Sequence, residues 1–152
     1  MAADVTAVGA LTAATGFFSP AEIDIAIEVV AARLGQGLAS GYHFLFADGP
    51  GGLDGYACFG PIALTQSAYD LYWIAVRPER QGSGLGRRLL LATEAAAIDM
   101  GATAMYVDTA GRPQYSPTRA FYRRLGYRQT AEFPDFYAPG DAKIVFAKRL
   151  PP

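Results

Sequence analysis

Apolar residues recur every three to four positions through Asp4–Ala14 and again through Pro20–Gly37, which predicts two helices. The second carries its own start signal, with Ser19 as N-cap, Pro20 at the first position and Glu22 in the first turn. Its apolar face reads Ile23, Ile27, Val30 and Leu34. The period then shortens to two. Tyr42–Ala47 and Gly55–Ile62 read as strands joined by the turn-rich Asp48-Gly49-Pro50-Gly51-Gly52, an antiparallel hairpin. Tyr69–Val76 is a third strand, stopped by Arg77-Pro78. A helix follows from about Leu85 to Met100, with Leu85, Leu89, Ala92, Ala96 and Met100 toward the sheet and Gly101 as its stop. Thr103–Asp108 must then run parallel to the strand before that helix, because a helix crosses between them. A helix over Pro117–Leu125, capped by Ser116 and ended by Gly126, leads to strands at Tyr127–Glu132 and Lys143–Leu150. Helices among antiparallel strands with one parallel pair give an α+β mixed sheet, in three-layer α/β style.

Composition narrows the picture. A chain of 152 residues, 51% of them hydrophobic, reads as one domain spanning the whole length, with enough apolar surface for a core. Cys58 is the only cysteine and lies in an apolar run, so it reads as packing; it excludes an internal disulfide and a four-thiolate site. His43 is the only histidine and reads as a strand residue, so no metal site is expected. The apolar N-terminus carries Asp4 and no base before it, unlike a secretory signal, and no apolar run reaches about 18 residues. The expectation is a cytoplasmic protein without a membrane partner. Charge is uneven: residues 1–76 hold one base and seven acids, residues 77–152 twelve bases and seven acids. Arg77, Arg80, Arg87 and Arg88 flank a glycine-rich stretch, and Arg119, Arg123, Arg124 and Arg128 crowd the later helix. Such clustering suits an anionic ligand. A sequence pI near 5.7 argues against nucleic acid.

The glycine-rich stretch is Gln81-Gly82-Ser83-Gly84-Leu85-Gly86, between a strand and a helix. Glycines let the backbone come close to a ligand, and the first helical N–H groups point at it, so this is an anion site suited to a diphosphate. A P-loop does not fit: Arg87 stands where its second glycine belongs, and no Lys-Ser or Lys-Thr follows. A dinucleotide fingerprint fails at the same Arg87, and no early strand makes this the first βα turn.

The pattern Q/R-x-x-G-x-G/A, met by Gln81, Gly84 and Gly86, resembles the GNAT superfamily of acetyl-CoA-dependent N-acetyltransferases. A second stretch, Thr118-Arg119-Ala120-Phe121-Tyr122-Arg123-Arg124-Leu125-Gly126-Tyr127, resembles that family's later helix, in the family's order and about its distance away. The resemblance runs from roughly Tyr42 to the C-terminus. It implies two splayed central parallel strands with helices on both faces. It also implies that backbone groups of Ile74, Ala75 and Val76 pair with pantetheine. The stretch Gln81, Gly82, Ser83, Gly84, Leu85, Gly86 and Arg87 would grip the diphosphate of coenzyme A. Tyr122 would lie beside its sulfur as the general acid, and Thr118 would be a further cofactor-binding position. Three departures stand out. Tyr115 and Thr118 occupy positions where the family often has Asn and Ala, and the family's first strand is absent. Either the start is shortened or that edge strand is dispensable, and the sheet edge is then exposed or covered by a partner, a homodimer included.

A phenol is protonated at neutral pH and suited to donate to a departing thiolate. Asp70, on the strand before the loop, is the first candidate base; Asp108 and Asp135 are weaker ones. Aromatic residues such as Phe17, Phe18, Tyr72, Trp73, Phe133, Phe136 and Tyr137 are core or acceptor-pocket candidates. The expected activity is acetyl transfer from acetyl-CoA to a primary amine of a small molecule or a peptide. A non-catalytic acyl-CoA-binding module on the same fold is the alternative. A nucleotide-binding protein is disfavoured by the missing P-loop lysine.

Overall fold

Ser19 starts its helix as the sequence predicts. Its hydroxyl accepts from the Glu22 amide at 3.2 Å, and the Glu22 carboxylate accepts from the Ser19 amide at 2.7 Å. This reciprocal pair satisfies two N–H groups that a helix start leaves without partners. The structure is a computed structural model that describes residues 2–16 and 18–152. Phe17 lies outside the described residues. In chain order the elements are α1 (Ala2–Ala14), α2 (Pro20–Gln36), β1 (His43–Gly49), β2 (Gly52–Pro61) and β3 (Ala68–Val76). After them come α3 (Leu85–Asp99), β4 (Ala104–Ala110), α4 (Ser116–Arg124), β5 (Arg128–Ala138) and β6 (Asp141–Arg149). The six strands are hydrogen-bonded in the order β1-β2-β3-β4-β6-β5. All neighbours with a recorded register are antiparallel except β3 and β4, which run parallel and pair over three positions, Ala68–Asp70 with Ala104–Tyr106. Among the described residues no strand precedes α1, so β1 is a sheet edge.

The chain divides into two compact units. The first holds residues 1–60 and 72–96. Its core joins Val8 and Leu11 of α1, Val30 of α2, Tyr56 of β2 and Ala75 of β3. The Tyr56 hydroxyl meets the Thr12 hydroxyl at 2.8 Å, and Thr12 in turn donates to the Val8 carbonyl, so two buried polar groups are satisfied inside this core. Cys58 is buried as expected, and burial pushes its thiol up to about 12. The second unit holds residues 61–71 and 97–152. There α4 lays Tyr122 against Phe146 of β6 and Tyr127, with ring centroids 5.9 and 5.7 Å apart.

Helix faces differ from the simple apolar reading in two places. In α2 the buried residues are Ala26 and Val30, while Leu34 is 47% exposed. In α3 Ala92 is exposed, as is Met100 just beyond its end, and the buried stripe takes in Leu85, Leu89, Leu90, Thr93, Glu94 and Ala97. Thr93 takes that place because its hydroxyl donates to the Leu89 carbonyl one turn back, so the side chain needs no water. Ser116 is the first helical residue of α4 and not its cap; Tyr115 holds that position and makes no side-chain capping bond to the helix. The last hairpin is longer than predicted. β5 runs on to Ala138, accommodating Asp135 at φ 54° in an irregular stretch between Phe133 and Ala138.

Candidate functional site

The turn after β3 is built by its glycines and closed by its own hydrogen bonds. Gly82 and Gly84 have φ of 77° and 83°, the left-handed region that side chains disfavour. A Cβ at either would meet nothing, so it is backbone conformation and not crowding that calls for glycine. The Gln81 amide group donates to the Val76 carbonyl at 3.1 Å, tying the turn to the strand end. The Ser83 hydroxyl and amide both donate to the Arg80 carbonyl. The first helical bond of α3 runs from the Arg88 amide to the Gly84 carbonyl. The amides of Leu85, Gly86 and Arg87 thus precede the helical ladder, at the positive end of the helix dipole. Leu85 buries its side chain and anchors the helix start, while Arg87 is exposed. No acidic residue falls between Gln81 and Arg88. Residues and backbone alike fit a diphosphate.

Several arginines that the charge pattern assigned to an anionic ligand have structural work instead. Arg77 and Arg80 lie 3.3 and 3.4 Å from the buried carboxylate of Asp54, and Arg77 also donates to the Leu53 carbonyl. Arg119 donates to the carbonyls of Ala110 and Arg112, which pins the segment ahead of α4. Arg123 reaches Gln129 and lies 5.4 Å from the Phe146 ring. Tyr115 is buried, with the Arg112 guanidinium 5.2 Å from its ring centre.

Ile74, Ala75 and Val76 close β3. Ala75 is buried in the core, whereas Ile74 and Val76 are half-buried, and all three follow the last position at which β3 pairs with β4.

In the second unit Asp70 is half-buried near Asp108 and Lys143. Burial, then the Asp108 charge, push its carboxyl up to about 6, against the opposing pull of Lys143. Asp108 and Lys143 form an ion pair at 3.4 Å. Lys143 also lies 4.7 Å from the ring centre of Phe136 and 5.9 Å from that of Phe133. Sequence reasoning missed Lys143, because only the pairing of β4 with β6 brings it to Asp108. Asp135, by contrast, accepts the Gly140 amide at 2.7 Å and shapes the hairpin turn. Thr118 is half-buried on α4. Tyr122 is 4% exposed, and burial raises its phenol above the ordinary range, so it is protonated at neutral pH. His43 is half-buried on β1, its imidazole lowered by burial and by Arg33. Among the described residues no group of three or more His, Cys, Asp and Glu is placed to hold a metal ion. Among them, too, no helix is long and apolar enough to cross a membrane.

Known proteins with this arrangement agree. The profile of the acetyltransferase (GNAT) domain matches residues 40–129. The N-acetyltransferase YuaI of Bacillus subtilis, itself uncharacterized, is 34% identical over 91 residues, which are 59% of this chain. This chain spans about half (51%) of that relative's length. A Desulfovibrio desulfuricans protein assigned to the GNAT family superposes with a TM-score of 0.97 at 42% identity, over 99% of this chain and 95% of that one. The yncA protein of Salmonella typhimurium, solved with its cofactor acetyl-CoA, shares the fold at TM-score 0.75 and 21% identity, over 99% and 90% of the two chains. The matched domain covers more than half of the chain and includes both motifs, and the chain belongs to the GNAT family of acetyltransferases.

Proposed function

We propose that this protein transfers the acetyl group of acetyl-CoA to a primary amine of a small-molecule or peptide acceptor. The observation that carries this reading is the turn at Gly82 and Gly84, whose left-handed glycines open α3 with amides ahead of its hydrogen-bond ladder. Acetyl-CoA, when bound, supplies a thioester carbonyl open to nucleophilic attack. The turn from Gln81 to Arg87 holds the diphosphate through main-chain N–H groups, and the strand end Ile74–Val76 offers backbone groups to pantetheine in the manner of an added strand.

Asp70 takes a proton from the acceptor ammonium. A carboxyl at about 6 is mostly ionised at neutral pH yet basic enough to accept a proton. The neutral amine attacks the carbonyl carbon, the carbon–sulfur bond breaks, and Tyr122 gives its phenolic proton to the departing thiolate. The acylated nitrogen sheds its second proton to the Tyr122 phenolate, directly or through solvent, which leaves a neutral amide and restores the phenol, and solvent removes the proton held by Asp70. The test is thermal stabilisation by coenzyme A against ATP and NAD, followed by thiol release from acetyl-CoA over an amine panel. The expected result is stabilisation by coenzyme A and amine-dependent thiol release. Stabilisation by ATP alone would reject the reading.

A further inference from the structure

Strand register in the second unit places one row of side chains on a common sheet face. Asp70 stands opposite Tyr106, Tyr106 opposite Ala147, and Ala147 opposite Arg128, on β3, β4, β6 and β5 in turn. Residues directly opposite share a face, and the face repeats every second residue. The next row holds Ala68, Ala104 and Arg149, and the row on the other side holds Asp108. The reverse face carries Met105, Val107, Ile144 and Phe146, and Phe146 lies under Tyr122 of α4.

The face with Asp70 is therefore polarised. Two carboxylates, Asp108 among them paired with Lys143, stand at one end and two guanidiniums at the other, with Tyr106 between them. Ala68, Ala104 and Ala147 contribute almost no side-chain volume, and a depression of about 740 Å³ opens over them, bordered by Arg128 and Arg149. Its rim is held by the Ser67 and Thr103 hydroxyls, 2.5 Å apart. Among the described residues neither Arg128 nor Arg149 is in an ion pair. Two cations free of acidic partners beside an alanine-floored hollow describe an anion subsite. With strands about 4.8 Å apart and residues about 3.3 Å apart, the Cα atoms of Asp70 and Arg149 are on the order of 12 Å apart.

We propose that the acceptor is an amine that also bears an anionic group, carboxylate or phosphate, with the anion seated between Arg128 and Arg149 and the amine directed to Asp70. This rests on the acetyl-transfer reading and specifies its acceptor. The carboxyl of Asp70, raised first by burial and then by Asp108 against the pull of Lys143, fits a further ammonium neighbour that favours its ionised form.

The test compares matched amines at saturating acetyl-CoA: straight-chain primary amines of three to eight carbons, each alone, with a terminal carboxylate, and with a terminal phosphonate. The wild-type protein and a double variant, Arg128→Ala with Arg149→Ala, are assayed for thiol release. The expected result is a kcat/KM at least tenfold higher for the anionic members. That preference should fall below threefold in the double variant, through KM for the amine, with KM for acetyl-CoA unchanged. The carboxylate and phosphonate arms tell which anion is preferred. Equal use of charged and uncharged amines, a preference that survives in the variant, or no turnover of any pair would each overturn the proposal. Stabilisation by coenzyme A is measured in parallel. Where it persists, the failure belongs to the acceptor inference alone; where it is missing, the acetyl-transfer reading fails with it.

Discussion

The two candidate halves of the chemistry are made of different material. The turn at Gln81–Arg87 is a candidate main-chain site: its glycines set a conformation, the amides of Leu85, Gly86 and Arg87 precede the helical ladder, and its side chains mostly brace the turn itself. Asp70 and Tyr122 are the candidate side-chain groups, on opposite faces of the sheet; burial sets the proton affinity of both, and neighbouring charge adds to it at Asp70. A main-chain site tolerates side-chain change until the backbone is forced elsewhere. A side-chain site fails with the loss of one functional group while the fold stands. Substitution should therefore separate the two, binding on one side and turnover on the other.

The largest effect should come from Tyr122→Phe. Loss of a general acid costs on the order of 10²- to 10⁴-fold in rate, and kcat should fall at the lower end of that span with KM for acetyl-CoA unchanged. The phenol is buried among the rings of Phe121, Tyr127 and Phe146, and phenylalanine keeps those contacts, so the melting temperature should hold. A fall in melting temperature of many degrees would instead make the hydroxyl a structural group. Next comes Asp70→Asn, for which kcat/KM should drop by about 10- to 100-fold, at the low end for a base that water can partly replace.

The pH dependence of Asp70 has a definite sign. Its carboxyl is raised to about 6, so the ionised, proton-accepting form is lost as pH falls through that value, and kcat/KM should decline below about pH 6. The Asp70→Asn variant should lack that limb. The same shift bears on stability with the opposite sense. A carboxyl raised in the folded state favours folding when protonated, so its contribution is full at low pH and lost as pH rises from the unfolded value of 3.8 through about 6. Asp70→Asn should thus leave stability at about pH 8 unchanged or slightly higher, because Asp70 is half-exposed and its repulsion with Asp108 is screened.

This contrast also explains what was legible in the chain. The glycine turn announces itself because its requirements are local: glycines at fixed spacing, a strand before and a helix after. Helix starts are local too, and Ser19-Pro20-Ala21-Glu22 encodes both bonds of its cap. The side-chain site is non-local. Lys143 lies 35 positions beyond Asp108 in the sequence and meets it only through the β4–β6 register. The arginines mislead for the same reason. Arg77 and Arg80 look like ligand groups beside the loop until Asp54, far upstream, is seen buried between them. The buried stripe of α3 passes through Thr93 because a hydroxyl can satisfy itself on its own helix, a local bond that an apolar count does not register.

A smaller effect, on binding, should follow Gly84→Ala. The residue sits at φ 83°, where a Cβ is strained by about 1–2 kcal/mol. Open space around it means that the turn can shift without collision. The expected outcome is KM for acetyl-CoA raised about tenfold, with kcat changed less than twofold once the cofactor is saturating. A kcat loss matching that of Tyr122→Phe would erase the distinction between a backbone site for binding and a side-chain site for turnover.

The finest test sets Arg87→Ala against Arg77→Ala. Arg87 is exposed in the first turn of α3 and makes no ion pair among the described residues. An exposed cation near a bound diphosphate contributes a few tenths to about 1 kcal/mol in low salt, and screening weakens it as salt rises. Its loss should raise KM for coenzyme A by two- to threefold at low ionic strength, and by less at high, with no change in melting temperature. Arg77 is tied to Asp54 and to the Leu53 carbonyl, so its loss leaves a buried carboxylate whose remaining ion-pair partner among the described residues is Arg80. That should lower stability by about 1–3 kcal/mol, visible as a fall of several degrees in melting temperature. Any effect on coenzyme A should follow from loosening of the strand end, and it should not depend on salt. If both variants instead gave the same salt-dependent binding loss and the same stability, Arg77 would be a ligand group after all, and the loop would read its anion with side chains as well as with backbone.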